Sequence, residues 1–262
     1  QTMITKDIIY VGVNDHESDL FEGQYEIPNG IAYNSYVILD EKVAVMDTVD
    51  HKKCADFLAN VKEALNGRTP DYLVVHHMEP DHASSIGEFL KVYPDTQIVT
   101  SAGALKMMPL YFSFDTSNVM VVKEGDVLNL GRHNLQFIGA PMVHWPEVIM
   151  SFDTTDKVLF SADAFGKFGA LDYEEEWDCE ARRYYFNIVG KFGPQVLNVL
   201  KKAAPLGIEI ICPLHGPVLS DTIPHVLSLY QTWASYGVET EGVFIAYTSM
   251  HGNTAVVAEK LA

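Results

Sequence analysis

The sequence predicts a layered α+β or α/β sandwich, in which two packed β-sheets carry helices on their outer faces. Two patterns point to it. Short apolar runs rich in β-forming residues recur between turn residues, and only a few segments of helical spacing separate them. Size agrees, because 262 residues make one large domain or two small ones at roughly 100–200 residues each.

The strand-like runs are Ile8–Val13, Ser35–Leu39, Val43–Asp47, Tyr72–Val75, Gln97–Thr100, Val119–Val122, Leu135–Gly139, Val148–Phe152, Val158–Ser161 and Ile208–Cys212. Helical spacing marks Lys52–Leu65, Ala83–Val92, Trp177–Val189, Pro194–Ala203 and Thr222–Tyr236, which would cover the sheets. No internal repeat or low-complexity tract breaks the pattern. Composition shifts after Gly237, where VETEGVFIAYTSMHGNT opens a new unit. The expected division is therefore a sandwich domain over residues 1–240 and the start of a second unit over residues 241–262.

Charge narrows the function. Thirty-five acidic against eighteen basic residues give a net −17, a field that repels phosphate backbones and anionic lipid. Nucleic acid and membrane are thus not expected partners. The three cysteines, Cys54, Cys179 and Cys212, form no CxxC pair and no disulfide framework, so a reducing, cytoplasmic setting is expected. Neither a targeting segment nor an apolar run long enough to span a bilayer is visible.

Chemistry concentrates after the run YLVV, where HHMEPDHASS places His77, Glu79, Asp81 and His82 within six positions. On an extended loop His77, Glu79 and Asp81 point the same way, while His82 turns off into a following helix. Pro80 stiffens the loop, and Ala83, Ser84 and Ser85 let that helix approach closely. His144, Asp163 and His215 each follow a further apolar run, and strand ends can meet at one rim of a sandwich. Taken singly, a histidine at a strand end is usually a cap or a buried hydrogen bonder. Together, Glu79, Asp81 and Asp163 would repel one another at that rim unless a cation offset them. Four imidazoles and three carboxylates suit two metals, with Asp163 the natural bridge because its carboxylate has two oxygens to share. His76 faces away and reads as supporting or structural; His16, His51, His133 and His225 read as surface or packing residues.

The pattern HxExDH, here His77, Glu79, Asp81 and His82, followed by His144, Asp163 and His215, resembles the metallo-β-lactamase-like domain of flavodiiron proteins, over nearly the whole chain. The resemblance implies an αββα sandwich and a non-heme diiron site, one iron on His77, Glu79 and His144, the other on Asp81, His82 and His215, with Asp163 between them. Hydrolytic members of the superfamily carry HxHxDH. Glu79 replaces that imidazole with an anionic oxygen donor, which favours iron over zinc. A second motif agrees: Thr248, Ser249, Met250, His251, Gly252, Asn253 and Thr254 lie between the run GVFIAY and a helical AVVAEKLA. This strand, loop and helix resembles the first βα unit of a flavodoxin-like domain, where amides and hydroxyls hold the FMN phosphate without a basic residue. The later loops that would hold the flavin ring are missing, so either the chain is part of a longer protein or the rest lies elsewhere.

The expected activity is reduction of O2 to water or of NO to N2O by an oxidoreductase, with two iron ions fed by FMN. An electron donor such as rubredoxin or a flavin reductase, and a head-to-tail homodimer, are implied by the resemblance alone. The alternatives are a dizinc hydrolase on the same fold, and a gas-binding or electron-relay module without turnover.

Overall fold

The computed structural model describes residues 2–262. Its larger sheet has seven strands whose spatial order is their chain order: Thr2–Met3, Ile8–Tyr10, Tyr36–Ile38, Ala44–Met46, Tyr72–Val75, Gln97–Ser101 and Val119–Val122. The second sheet orders Val127–Asn129, Asn134–Gly139, Ile149–Asp153, Val158–Phe160 and Ile210–Cys212. Two small ribbons, Val13–Asp15 with Ile31–Tyr33 and Leu20–Phe21 with Tyr25–Glu26, cap one end.

Alternation along the strands divides the core in two. Tyr36, Ile38, Met46 and Val74 of the larger sheet meet Leu135, Phe137, Ile149 and Phe160 of the smaller one. Their neighbours Val37, Val45, Leu73 and Val75, and on the other sheet Met150, Phe152, Leu159 and Ile211, pack outward with helix residues such as Phe57, Val61, Phe89, Val196 and Tyr230. Sheets buried on both faces need nearly continuous apolar runs, which is why YLVV and AVM carry no polar residue. The result is the expected αββα layering.

Each predicted run becomes a strand within one to three residues, and the predicted helices form as Cys54–Leu65, Ile86–Val92, Trp177–Tyr184, Gly193–Ala203 and Ile223–Ala234. Helix Ala102–Tyr111 was not expected. Pro109 inside it and apolar residues all round hide the helical period, while its start is fixed by the Ser101 hydroxyl, which accepts from the amide of Ala104 at 3.1 Å. The C-terminal unit needs a correction. Helix Asn253–Leu261 forms, but the expected strand GVFIAY is irregular chain. A strand is held by ladder bonds to a neighbour, and among the described residues no hydrogen bond or ion pair joins residues 243–262 to the sandwich.

Candidate metal centre

The larger sheet's run Tyr72–Val75 is parallel to both of its neighbours, and Val158–Phe160 is parallel to Ile210–Cys212. Their carboxyl ends open at one rim, and the donors follow directly: His77 and Glu79 on the loop, Asp81 and His82 in the short helix Pro80–Ala83, Asp163 and His215 after the smaller sheet's strands. His144 arrives from the loop before Ile149–Asp153. Non-glycine residues with positive φ flank these donors, Met142 at 65°, Ala162 at 50° and Phe165 at 68°. Such backbone persists only where the surroundings dictate it.

All seven donors are buried and fall into two groups, His77, Glu79, His144 and Asp163, and Asp81, His82 and His215. In the first, His77 Nε2 lies 3.2 Å from Glu79 Oε2 and 3.4 Å from His144 Nε2. Asp163 Oδ2 is 3.4 Å from His77 and 3.1 Å from His144. In the second, Asp81 Oδ2 is 3.2 Å from the Nε2 atoms of both His82 and His215, which are 3.1 Å apart. Asp163 Oδ1 reaches this group, 3.2 Å from His82. Donors about 2.0–2.2 Å from one cation are separated by about 3 Å at right angles and about 3.4 Å at tetrahedral angles. The observed spacings match those edges, with Asp163 presenting one oxygen to each group.

The hydrogen bonds behind the rings set their tautomers. His77 Nδ1 donates to Glu147 Oε1 at 2.8 Å, and His215 Nδ1 donates to the carbonyl of Ala32 at 2.8 Å. Each therefore aims an Nε2 lone pair inward. There those lone pairs face carboxylate oxygens of Asp163 and Asp81 for which no hydrogen-bond donor is found. Acceptor facing acceptor, out of water, is costly unless a cation stands between them. The same demand for positive charge governs the titrations. Burial alone would lower the imidazole pKa values, but Asp163, Glu147 and Glu79 hold His77 well above its usual range. Asp81 and Asp163 raise His82. His144, beside Asp163 and Glu79, is pushed up to about 9 against the same burial. The seven residues fit a pair of cations, and the donor set, rich in carboxylate oxygen and imidazole and free of thiolate, fits iron.

Two residues at this site were missed by the sequence reading. Glu147 bonds both His77 and the amide of Met78, the latter at 2.9 Å, and Gly103 of the neighbouring helix is held so near that a Cβ there would meet the Glu147 side chain at 2.9 Å. Its only sequence signal is the spacing His144-x-x-Glu147. Tyr184, wholly buried with its ring 5.6 Å from that of His215, has no partner for its hydroxyl. Burial and then the carboxylates of Asp163, Glu79 and Asp81 push its pKa well up.

His76 does face away from the donors, between Asp47 Oδ2 at 2.5 Å and Ser151 Oγ at 2.8 Å. His16 and His225 pair at the surface with Asp172 and Asp178. His133 is buried, with Nδ1 2.9 Å from Asp153. Its cluster with Asp153 and Asp156 is filled by Arg132, which bonds Asp156 at 2.5 Å and lies 2.9 Å from His133 Nε2, leaving a cation no place. Thr248 to Thr254 lead into the last helix, whose N-cap is Gly252 at a φ of 82°. No bond brings them to the metal-type donors among the described residues.

Helices outside two facing sheets, with seven such donors at one rim, define a metallo-β-lactamase-like protein. The chain belongs to the ODP family of beta-lactamase-fold domains, which matches residues 31–216. It is 34% identical to the anaerobic nitric oxide reductase flavorubredoxins of Klebsiella pneumoniae and Escherichia coli, over 99% of this chain and 56% of theirs. It thus spans a little over half the length of these curated relatives. Among solved structures, rubredoxin oxygen:oxidoreductase from Desulfovibrio gigas superposes with a TM-score of 0.85 at 31% identity, over 89% of this chain and 61% of that one. A flavo di-iron protein variant from Thermotoga maritima gives 0.86 at 25% identity, over 97% and 66%. The expected resemblance to flavodiiron proteins is borne out. No helix among the described residues is long and apolar enough to cross a membrane.

Proposed function

We propose that this chain is the diiron part of a flavodiiron reductase that reduces O2 to water or NO to N2O. The observation that carries the reading is the pair of donor groups sharing Asp163, with Glu79 as an anionic ligand in the first. His77, Glu79 and His144 would hold one iron, Asp81, His82 and His215 the other, and Asp163 would join them. Bound iron supplies gas binding, Lewis-acid polarisation and, once reduced, electrons. The protein's own part is to fix and to enclose. Glu147 and the Ala32 carbonyl lock the rings of His77 and His215, and Phe21, Tyr33 and Tyr184 pack their rings against the buried His215. Tyr184, buried with its ring 5.6 Å from that of His215 and its hydroxyl without a partner, would offer a neutral hydrogen-bond donor beside the metal pair.

Residues 241–262 are read as the opening of a flavodoxin-like FMN domain. Support comes from the loop Thr248–Thr254 running into a helix, from the apolar, exposed Val243, Phe244, Val256 and Val257, and from relatives named as flavorubredoxins. In the longer protein, FMN, a rubredoxin-type or flavin-reductase donor and a head-to-tail dimer would complete the electron route, in a cytoplasmic setting. The test is anaerobic reconstitution. The chain should take up about two iron per molecule, and the longer protein should consume O2 or NO with a reduced donor. Tight zinc that iron cannot displace, together with thioesterase activity, would overturn the reading in favour of a hydrolase.

A further inference from the structure

Helix Ala102–Tyr111 lies against the loop that carries the donor His144. Gly103, near its start, sits on Glu147, and at its other end Tyr111 reaches Trp145, the residue after that donor. The two rings are 6.4 Å apart, centre to centre, and tilted by 33°. The indole in turn stands 5.2 Å from the ring of His77, edge to face at 88°, and 6.1 Å from that of His144. The main chain fixes its place, because the Trp145 carbonyl accepts the amide of Met142 at 2.8 Å. Trp145 is half-buried, and Tyr111 is 48% exposed. Two aromatic side chains thus link the donor rings of the first group to solvent.

Indole and phenol give up single electrons more readily than any other side chain except a thiol. Tunnelling weakens exponentially with distance, so two short hops between neighbouring rings outrun one long one. The second donor group has no such exit. Its neighbours Tyr33 and Tyr184 are buried, and the Tyr184 hydroxyl has no partner to take the proton a phenol sheds on oxidation. At the surface, water takes that proton from Tyr111. O2 needs four electrons on its way to water and a ferrous pair gives two, so oxygen that arrives without a reduced flavin leaves an oxidising equivalent at the site. We infer that Trp145 and Tyr111 form an electron relay that discharges it. Trp145 passes one electron inward, and Tyr111 restores it while shedding its phenolic proton to water. A thiol in solution then returns a hydrogen atom to the tyrosyl oxygen. Each cycle moves one electron from the thiol to the metal centre and releases one proton. The inference rests on the proposed function and adds to it a protective path.

The test is oxygen with no electron donor present. Iron-loaded, reduced protein mixed with excess O2 and freeze-quenched should show a tyrosyl radical by EPR. Tyr111→Phe should lose that signal and leave a tryptophanyl one, and Trp145→Phe should lose both. Peptide mass analysis of Trp145→Phe should then find oxidised His77 or His144 severalfold more often than in the wild type. Should Trp145→Phe not fold, the surface variant Tyr111→Phe still decides. Metal-free protein isolates the hop. Azide radicals oxidise accessible indoles, Trp233 is buried, and in a Trp177→Phe background the Trp145 radical should decay severalfold faster with Tyr111 present than in Tyr111→Phe. Iron oxidised by O2 with no radical at either position, or a Trp145 radical indifferent to Tyr111, would overturn the inference and leave the proposed function standing. Failure of the chain to take up iron would count against the proposed function, while the metal-free measurement still decides the hop.

Discussion

Asp163 offers one oxygen to each donor group, so its loss should be felt at both. Asp163→Ala is expected to lose both metals together, whereas His215→Ala should empty mainly the site shared with Asp81 and His82. Metal content by elemental analysis checks this, and an Asp163→Ala protein that keeps one full site would show that the carboxylate does not bridge. Glu147 acts through His77. Glu147→Gln keeps the shape but offers a weaker, uncharged acceptor, and is expected to weaken metal binding by roughly 10–100-fold, as loss of an outer-shell partner typically does; unchanged affinity would reduce Glu147 to a packing residue. Glu79→His recreates the HxHxDH pattern and should shift preference toward zinc in a competition with iron. Uptake should also depend on pH in a fixed direction. The imidazoles must lose their protons to bind metal, and His144 is raised to about 9, so apparent affinity should rise with pH until that value is passed. Titration at three pH values across that range would expose a flat response. The seven donors were legible because each follows an apolar run directly. Glu147 and Tyr184 were not, because orienting a ring or burying a hydroxyl beside one leaves no mark on composition.

At the scale of elements, the end of the sandwich opposite the donors is closed by a clasp around His133. Asp7 from the first hairpin, Asp40 from the turn before Ala44–Met46, and Asp153 and Asp156 from the turn before Val158–Phe160 gather on Arg132 and His133. This joins both sheets at one point. Burial would lower the His133 pKa, but the bond and charge of Asp153 with Asp7 and Asp156 raise it, while His133 and backbone amides lower Asp153 despite its own burial. A raised histidine stabilises fully below its unfolded value of about 6.5 and loses that contribution as pH rises through the folded value. A lowered aspartate stabilises above its unfolded value, about 3.9, and loses it as pH falls. The clasp should therefore hold best between about pH 4 and 6.5. Melting of metal-loaded protein should decline above that window, and His133→Gln should flatten the decline; parallel profiles would remove His133 from the account. No sequence pattern announced this clasp, since its partners come from turns far apart in the chain. The same holds for helix Ala102–Tyr111, whose Pro109 argued against it while the Ser101 cap and its packing against Glu147 formed it.

Across the whole molecule, the sandwich is self-sufficient and the last segment is not. Both faces of each sheet are buried, and the layering was legible because strands covered on two sides need unbroken apolar runs. Residues 241–262 are expected to give strand, loop and helix, yet only the helix forms, because a strand depends on ladder bonds to a neighbour and none reaches Gly242–Tyr247 among the described residues. Val243 and Phe244 are 89% and 92% exposed, where a sheet would bury them. A helix N-terminus can favour a phosphate, but ring-binding loops in doubly wound folds come from several strand ends. The 262-residue chain is therefore expected to bind FMN weakly or not at all, and to turn over slowly with a physiological donor even when loaded with iron. A longer chain carrying the remaining strands should recover flavin absorbance and steady-state gas reduction together. Equilibrium dialysis against FMN decides the first point. Stoichiometric flavin on this chain alone would mean that the Thr248–Thr254 loop and its helix suffice, and that the missing strand ends are not what holds the ring.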